Sequence, residues 1–173
     1  MEIYLCLDNI RSIYNVGAIL RTAEGFGVKR VYLSGVTPRY NDERVLPHLR
    51  EKLNNQIAKT ALGAEKMIKI YSSDDIKSDL IKLRKDENVE ILGLENNICE
   101  PRVLQIKSSR FVEFLSALKI SKRPIVLILG EEVNGISNSL YDIIDTFLEI
   151  PMKGKKESFN VSVATGIALF SLD

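Results

Sequence analysis

Short apolar runs alternate along this chain with segments in which apolar residues recur every three to four positions. Runs of the first kind predict β-strands and segments of the second kind predict amphipathic helices. The predicted strands are Ile3–Leu7, Arg30–Leu33, Met67–Tyr71, Val89–Leu94, Pro124–Leu129 and Thr146–Ile150. The predicted helices are Val16–Phe26, Leu53–Leu62, Asp74–Lys85, Ser109–Leu118, Ser137–Ile143 and Phe159–Phe170. This alternation predicts an α/β fold, with a mostly parallel sheet covered by helices on both faces.

The run Ile125–Leu129 has no polar residue and therefore predicts a central strand that is buried on both faces. The first helix carries Arg21 on the face opposite its apolar stripe, with Gly17 and Gly25 one turn to either side. Glycine costs a helix roughly 1 kcal/mol relative to alanine. The two glycines therefore indicate either a close approach of another backbone or ligand, or simply loosened helix ends beside a solvated arginine.

Composition narrows the possible classes of protein. The 173 residues are 45% hydrophobic, which suits a single domain over residues 1–173. The 24 basic and 23 acidic side chains nearly cancel, so any nucleic-acid contact must come from local patches. With Cys6, Cys99 and His48 as the only cysteines and histidine, neither a disulfide framework nor a metal site is expected. The N-terminus lacks a signal-peptide pattern and no apolar run could span a bilayer, so a soluble cytoplasmic protein is expected.

Three separated polar segments stand at places where helices or loops begin. They are Asn15–Ala23, Gly130–Gly135 and Ser158–Ala164. Ser158 and Asn160 are good helix-capping residues, and the same side chains can bind a ligand. The polar loop Gly35–Arg44 either contacts phosphates or is a solvated surface loop. The G-x-G-x-x-G fingerprint of a nicotinamide site is absent after the first strand, which disfavours that class of cofactor.

These segments resemble the motifs of the SpoU–TrmH branch of the SPOUT RNA methyltransferases. The first motif, N-x-G-x-I-x-R-x-A, matches Asn15 to Ala23, and the second, an apolar strand followed by G-x-E-x-x-G, matches Gly130 to Gly135. The third joins I-P-M at Ile150–Met152 to S-F-N-V-S at Ser158–Ser162. The segment Lys59–Glu65 is similar to a weaker K-T-x-x-G-A-E motif of the same family. The resemblance covers nearly the whole chain.

The resemblance implies the SPOUT fold, in which the C-terminal part threads through a loop to form a deep trefoil knot. Knots are rare exceptions among protein folds, so this expectation rests on the resemblance alone. It also implies that S-adenosylmethionine binds in loops that follow three strands. By carry-over from the motifs, the expected cofactor-binding residues are Leu94, Gly130, Ile150, Ser158 and Phe159.

The implied reaction is methylation of a ribose 2′-hydroxyl in RNA, with Arg21, Asn15, Glu132, Ser158 and Asn160 as the expected catalytic residues. A guanidinium is effectively always protonated, so we interpret Arg21 as a phosphate anchor that also stabilises developing alkoxide charge, rather than as the base. The plain structural alternatives are an N-cap for Asn15 and a solvated turn acid for Glu132.

The resemblance further implies a homodimer in which Arg21 lies near the partner's cofactor pocket. Phosphate contacts are expected from basic residues in three segments: Arg11, Arg39, Arg44, Lys153, Lys155 and Lys156. A single domain leaves no room for a separate RNA-binding domain, so tRNA is the expected substrate over rRNA. Glu131 departs from the family pattern, and its carboxylate would repel a phosphate unless it faces away or pairs with a lysine.

Three alternatives stay open at this point. One is a non-catalytic RNA-binding assembly factor with the same fold. Another is an enzyme of the same superfamily that methylates a base instead of ribose. The last is an unrelated nucleotide-binding α/β enzyme.

Overall fold

The computed structural model describes residues 1–99 and 101–173. Its strands are β1 (Ile3–Asp8), β2 (Arg30–Ser34), β3 (Lys69–Ser73), β4 (Glu90–Leu94), β5 (Val103–Gln105), β6 (Ile125–Leu129) and β7 (Thr146–Glu149). Its α-helices are α1 (Ile13–Gly25), α2 (Pro47–Ala61), α3 (Ile76–Glu87), α4 (Ser109–Ser121) and α5 (Val161–Leu172). Short 3₁₀ segments cover Ala64–Lys66 and Asn138–Ile143.

The seven strands form one parallel sheet in the order β3-β2-β1-β6-β4-β7-β5. This confirms the predicted α/β class. Strand β6 lies between β1 and β4 and is buried along its whole length, as its unbroken apolar run predicted. The order turns back at β6, since β1 to β3 extend towards one edge and β4, β7 and β5 towards the other. Ligands of open α/β sheets bind outside the carboxyl ends of strands at such a switch point.

Apolar side chains form a core on each face of the sheet, so the helices cover both faces as predicted. One core contains residues of α1, α2, α4 and α5, among them Leu20, Ile57, Phe111 and Leu169. The other contains Leu80 of α3 and Leu140 of the second 3₁₀ segment. Among the residues described, no helix combines the length and the apolar character that crossing a bilayer requires.

Several predicted boundaries were wrong, and local hydrogen bonds explain most of the differences. Helix α1 begins at Ile13 because Ser12 accepts a hydrogen bond from the N–H of Asn15. Helix α5 begins at Val161 rather than Phe159 because Asn160 caps it by accepting from the N–H of Ser162. The predicted helix Ser137–Ile143 is a 3₁₀ segment, and α2 begins earlier than predicted, at Pro47. Strand β5 was not predicted, because three residues are too few to show a period.

The first helix approaches α2 closely at Gly17, which confirms the first of the two interpretations for that glycine. A Cβ at Gly17 would lie 2.1 Å from Thr60 Oγ1 and 2.4 Å from the carbonyl oxygen of Ile57. The hydroxyl of Thr60 also donates to the carbonyl of Tyr14, at 3.0 Å. At Gly25 a Cβ would meet no atom within 4 Å, so that position is not constrained by a neighbour in this chain.

Gly17→Ala is expected to lower the free energy of unfolding by about 2–3 kcal/mol, because the added methyl group forces α1 and α2 apart. Gly25→Ala is the matched control on the same helix and should change that free energy by less than about 1 kcal/mol. Urea unfolding followed by circular dichroism measures both. Equal destabilisation by the two substitutions would contradict this account of the α1–α2 contact.

Candidate functional site

A cavity of about 570 Å³ opens at the carboxyl ends of β4, β6 and β7. The loops after these strands and the start of α5 line it. Seven residues predicted for the site lie on its surface: Leu94, Gly130, Glu132, Ile150, Ser158, Phe159 and Asn160. Residues separated by more than sixty positions in the sequence are therefore brought together at the edge of the parallel sheet where ligands bind.

The side chain of Asn15 joins two of these loops. Its Nδ2 donates to Glu132 Oε1 at 2.6 Å, and its Oδ1 accepts from Asn160 Nδ2 at 3.2 Å. Ser12, and not Asn15, caps α1, so the structural alternative for Asn15 is wrong. Glu132 is likewise bonded to Asn15 rather than being only a solvated turn acid. One residue from each of the three motifs thus takes part in a single hydrogen-bonded chain.

Two acidic residues that sequence reasoning missed hold the loop after β6. Asp8, buried at the end of β1, accepts from the N–H of Ser137 at 2.9 Å. Glu95, which directly follows β4, accepts from the N–H of Ile136 at 2.9 Å. Their position at the carboxyl ends of strands of a parallel sheet was the signal that could have identified them, because those ends meet at one edge.

Asn96 holds the loop after β7 in the same way. Its Nδ2 donates to the carbonyl of Ile150 at 3.0 Å and to that of Glu157 at 3.2 Å, and its Oδ1 accepts from the N–H of Ile150 at 3.1 Å. One amide side chain thereby fixes both ends of the segment that carries Lys153 to Lys156. Sequence reasoning missed this residue too, although it is the second residue after β4.

Gly130, which was expected to contact the cofactor, is also required by the tight turn of its own loop. A Cβ there would lie 2.1 Å from the carbonyl carbon of Gly135 and 2.2 Å from the nitrogen of Ile136. The loop is closed by two backbone hydrogen bonds of 3.1 Å between Glu131 and Gly135. Gly130 still lies on the cavity surface, so its tight turn sets the shape of that wall.

Glu131 pairs with an arginine rather than with the lysine considered from the sequence. Arg11 Nε lies 2.9 Å from Glu131 Oε2 without the alignment of a hydrogen bond, so the contact is an ion pair. Asn134 Nδ2 donates to the other carboxylate oxygen of Glu131. Glu131, the residue that departs from the family pattern, therefore connects the loop after β6 to the loop after β1. Arg11 partly neutralises its charge.

The cavity is acidic. Glu95, Glu131, Glu132 and Glu157 line it, and no lysine, arginine or histidine is among the described residues on its surface. Its apolar surface comes from Leu94, Leu129, Ile150 and Phe159, among others. A cation with an apolar portion matches such a lining, whereas a ligand rich in phosphate would be repelled.

Arg21 does not line this cavity within the single chain. It is exposed on α1 and lies in a shallow depression of about 660 Å³, together with Ala18, Thr22, Gly25, Phe26, Lys59 and Thr60. Within the part of the chain that the structure describes, its guanidinium has neither a hydrogen bond nor an ion pair. The side chain is therefore free to contact a molecule outside this chain.

The six residues predicted to bind RNA have different surroundings. Arg39 is buried and its Nη2 donates to the carbonyl of Ser73 at 3.1 Å, so the predicted phosphate contact is not available to it in this structure. Arg44 is exposed and donates to both oxygens of Asp42 at 2.8 Å, and these bonds hold the pKa of the Asp42 carboxyl below its usual value. Lys153, Lys155 and Lys156 are exposed between β7 and α5.

Curated proteins are similar to nearly all of this chain, and two examples follow. A 23S rRNA (guanosine-2'-O-)-methyltransferase RlmB from Pectobacterium atrosepticum is 29% identical over 170 residues, which are 98% of this chain and 59% of the relative. An uncharacterized tRNA/rRNA methyltransferase from Borreliella burgdorferi is 31% identical over 168 residues, which are 97% of this chain and 62% of the relative. The chain thus spans about three fifths of the length of these relatives.

Solved structures have the same fold. An AdoMet-bound rRNA methyltransferase from Sinorhizobium meliloti superposes with a TM-score of 0.74 at 23% identity, covering 99% of this chain and 55% of that one. The TrmH/SpoU tRNA modifying enzyme of A. aeolicus gives 0.72 at 23% identity, covering 99% and 73%. The sequence profile of the SpoU rRNA Methylase family matches residues 2–170. Because that match covers nearly the whole chain and includes all three motifs, the chain belongs to the SpoU rRNA methylase family.

Proposed function

We propose that this protein is an S-adenosylmethionine-dependent methyltransferase that methylates a ribose 2′-hydroxyl in RNA. The observation that carries the proposal is the hydrogen-bonded chain of Glu132, Asn15 and Asn160 at the edge of the acidic cavity. Such a chain holds polar groups in fixed positions beside a bound cofactor, which is most of what an in-line transfer between two bound molecules requires.

The lining of the cavity fits S-adenosylmethionine. The cofactor carries a net positive charge, since its sulfonium and ammonium groups outnumber its one carboxylate, and four glutamates are among the residues that line the cavity. Leu94, Ile150 and Phe159 would contact the adenine, while Ser158 and the backbone at Gly130 would contact polar groups. When bound, the cofactor supplies an electrophilic methyl group. The lining disfavours a dinucleotide, whose phosphates would be adjacent to these carboxylates.

We propose that Arg21 acts across a homodimer, as the family resemblance implies. Helix α5 has an exposed apolar surface that includes Val163 and Phe170, and α5 packs against α1, where Gly166 approaches the methyl group of Thr22. An apolar helix face of this kind is suited to burial against a second copy. In that arrangement Arg21 would anchor an RNA phosphate and stabilise the alkoxide, while the proton passes to a phosphate oxygen or water.

The C-terminal trefoil knot belongs to the same proposal. Two observations support it: Asn96 binds both ends of the segment between Ile150 and Glu157, and α5 then packs on the face that α1 covers. A segment bonded so closely to the loop after β4 is compatible with threading of the terminal helix. Family structures superpose over 99% of the chain, which supports the same fold throughout.

RNA contacts are proposed for Arg11, Arg44 and the lysines 153, 155 and 156, with Arg39 omitted because it is buried. The sequence predicts tRNA, whereas relatives named for 23S rRNA favour ribosomal RNA. The test is methyl transfer from labelled S-adenosylmethionine to purified tRNA and to rRNA taken from cells that lack this gene. Label in one RNA identifies the substrate. Absence of label from both would favour the non-catalytic assembly factor.

Asn15→Asp is expected to lower the free energy of unfolding by about 1–2 kcal/mol, because it places a second carboxylate beside Glu132, where an amide now donates at 2.6 Å. The double variant Asn15→Asp with Glu132→Gln again pairs one amide donor, now at position 132, with one carboxylate acceptor, now at position 15. It should recover most of that stability. Thermal unfolding measures both variants. A double variant that is no more stable than Asn15→Asp would contradict the hydrogen bond as the cause.

A further inference from the structure

We infer that the acidic lining makes the cavity bind the cationic methyl donor more tightly than the demethylated product, and that Glu157 is a specificity-determining residue for this difference. The inference rests on the proposed function. The two ligands differ by one methyl group and one positive charge, because S-adenosylhomocysteine has a neutral thioether where the donor has a sulfonium. Comparing the affinities of the two ligands therefore reports how strongly the cavity prefers the positively charged one.

The carboxylates of the cavity differ in how far their charge is neutralised. Glu131 pairs with Arg11 at 2.9 Å. Glu95 and Glu132 accept hydrogen bonds from the N–H of Ile136 and from the amide of Asn15, which are neutral donors. Hydrogen bonds from neutral groups hold a carboxylate in place but leave its net charge intact. At least three negative charges therefore act on whatever occupies the cavity.

Glu157 is the carboxylate best suited to an isolated test of charge. Its backbone carbonyl accepts from Asn96 Nδ2 at 3.2 Å, which fixes the main chain at the cavity. Its carboxylate has no hydrogen-bond or ion-pair partner among the residues that the structure describes, and the residue is exposed. The adjacent Lys156 does not line the cavity. Replacing the carboxylate by an amide therefore removes one charge without breaking a contact of the folded chain.

The cavity is small enough for such a charge to affect the binding of a ligand. A cavity of about 570 Å³ has a width of the same order as the Debye length, about 8 Å at physiological ionic strength. A unit charge at that range in a partly solvated site changes a binding constant by about threefold. Because loss of the methyl group removes the positive charge, the same lining that favours donor binding would favour release of the product.

The experiment measures dissociation constants of S-adenosylmethionine and S-adenosylhomocysteine by isothermal titration calorimetry, using the full chain at low and at physiological salt. The wild-type protein is expected to bind the donor more tightly, with an affinity that falls with salt more steeply than the affinity for the product. Glu157→Gln should narrow the ratio of the two constants about threefold. Glu113→Gln, which removes an exposed carboxylate of α4 outside the cavity, should leave the ratio unchanged.

A ratio that Glu157→Gln leaves unchanged, while both ligands still bind, would overturn the inference and leave the proposed function intact. Failure of the wild-type protein to bind either ligand would overturn the proposed function and this inference with it. Thermal unfolding of each variant shows whether it is folded, so that a structural defect is distinguished from a loss of charge.

Discussion

Arg21→Ala is expected to lower the kcat of RNA methylation by about 100- to 1,000-fold, the usual cost of removing a group that stabilises charge in a transition state. Its effect on S-adenosylmethionine affinity should be within about twofold, because Arg21 does not line the cavity of its own chain and is proposed to contact the RNA phosphate, not the cofactor, at the partner's site. Single-turnover methylation kinetics and calorimetric binding measure the two effects separately.

Arg21→Lys tests which property of the side chain matters. Lysine keeps the charge but lacks the planar fork that binds a phosphate through two parallel hydrogen bonds, so at least a tenfold loss of kcat should remain. Arg110→Ala, an exposed arginine of α4, is the matched control and should retain activity. Near-normal turnover of Arg21→Lys would contradict the bidentate role, and near-normal turnover of Arg21→Ala would remove Arg21 from the mechanism.

Gly130→Ala is expected to lower the free energy of unfolding by about 3 kcal/mol and to abolish cofactor binding. The added Cβ would lie 2.1 Å and 2.2 Å from backbone atoms of Gly135 and Ile136, and backbone cannot move aside as a flexible side chain can. The loop would have to open, which breaks the paired hydrogen bonds of Glu131 with Gly135 and shifts one wall of the cavity.

Gly154→Ala is the control for this substitution, since a Cβ at Gly154 would meet no atom within 4 Å. It lies in the exposed segment between β7 and α5 and should preserve both stability and binding. Urea unfolding and calorimetry measure the pair. Normal cofactor binding by a folded Gly130→Ala protein would show that the tight turn after β6 does not shape the pocket.

Much of the fold could be predicted from local sequence patterns, because burial in the core requires apolar residues at particular positions. The run Ile125–Leu129 is apolar at every position, and only a strand covered on both faces requires that, so its central place could be predicted. Strand β5 could not be predicted, because its three residues owe their pairing with β7 to tertiary contacts. The start of α5 is set by a local bond instead, the cap at Asn160; the sequence offered Ser158 and Asn160 as capping residues, and the structure shows that Asn160 is the one that caps the helix.

The motif residues of the candidate site could be predicted from the sequence, but the contacts that hold them in place could not. Asn15, Glu132 and Asn160 were identified from the resemblance, whereas their mutual hydrogen bonds depend on loop geometry that no spacing encodes. Arg39 is the opposite case, in which the sequence suggested a contact that the fold does not provide. An arginine in a polar loop was interpreted as a phosphate contact, yet its guanidinium is buried against the end of β3.

Within one chain, Arg21 does not reach the cavity. Its depression on α1 is separate from the lining of the cavity. The proposed homodimer would connect the two. Under that proposal the oligomeric state in solution is part of the mechanism, and substitution of the exposed apolar residues of α5 is the way to seek a monomeric variant.

We propose that the cavity presents a methyl donor to a ribose hydroxyl of RNA. The most direct test is nucleoside mass spectrometry of RNA incubated with the protein and S-adenosylmethionine labelled with deuterium in the methyl group. A labelled 2′-O-methyl nucleoside is expected, with the deuterium on the sugar, and it should disappear with Arg21→Ala. Deuterium on a base, or RNA without deuterium although the cofactor binds, would contradict it.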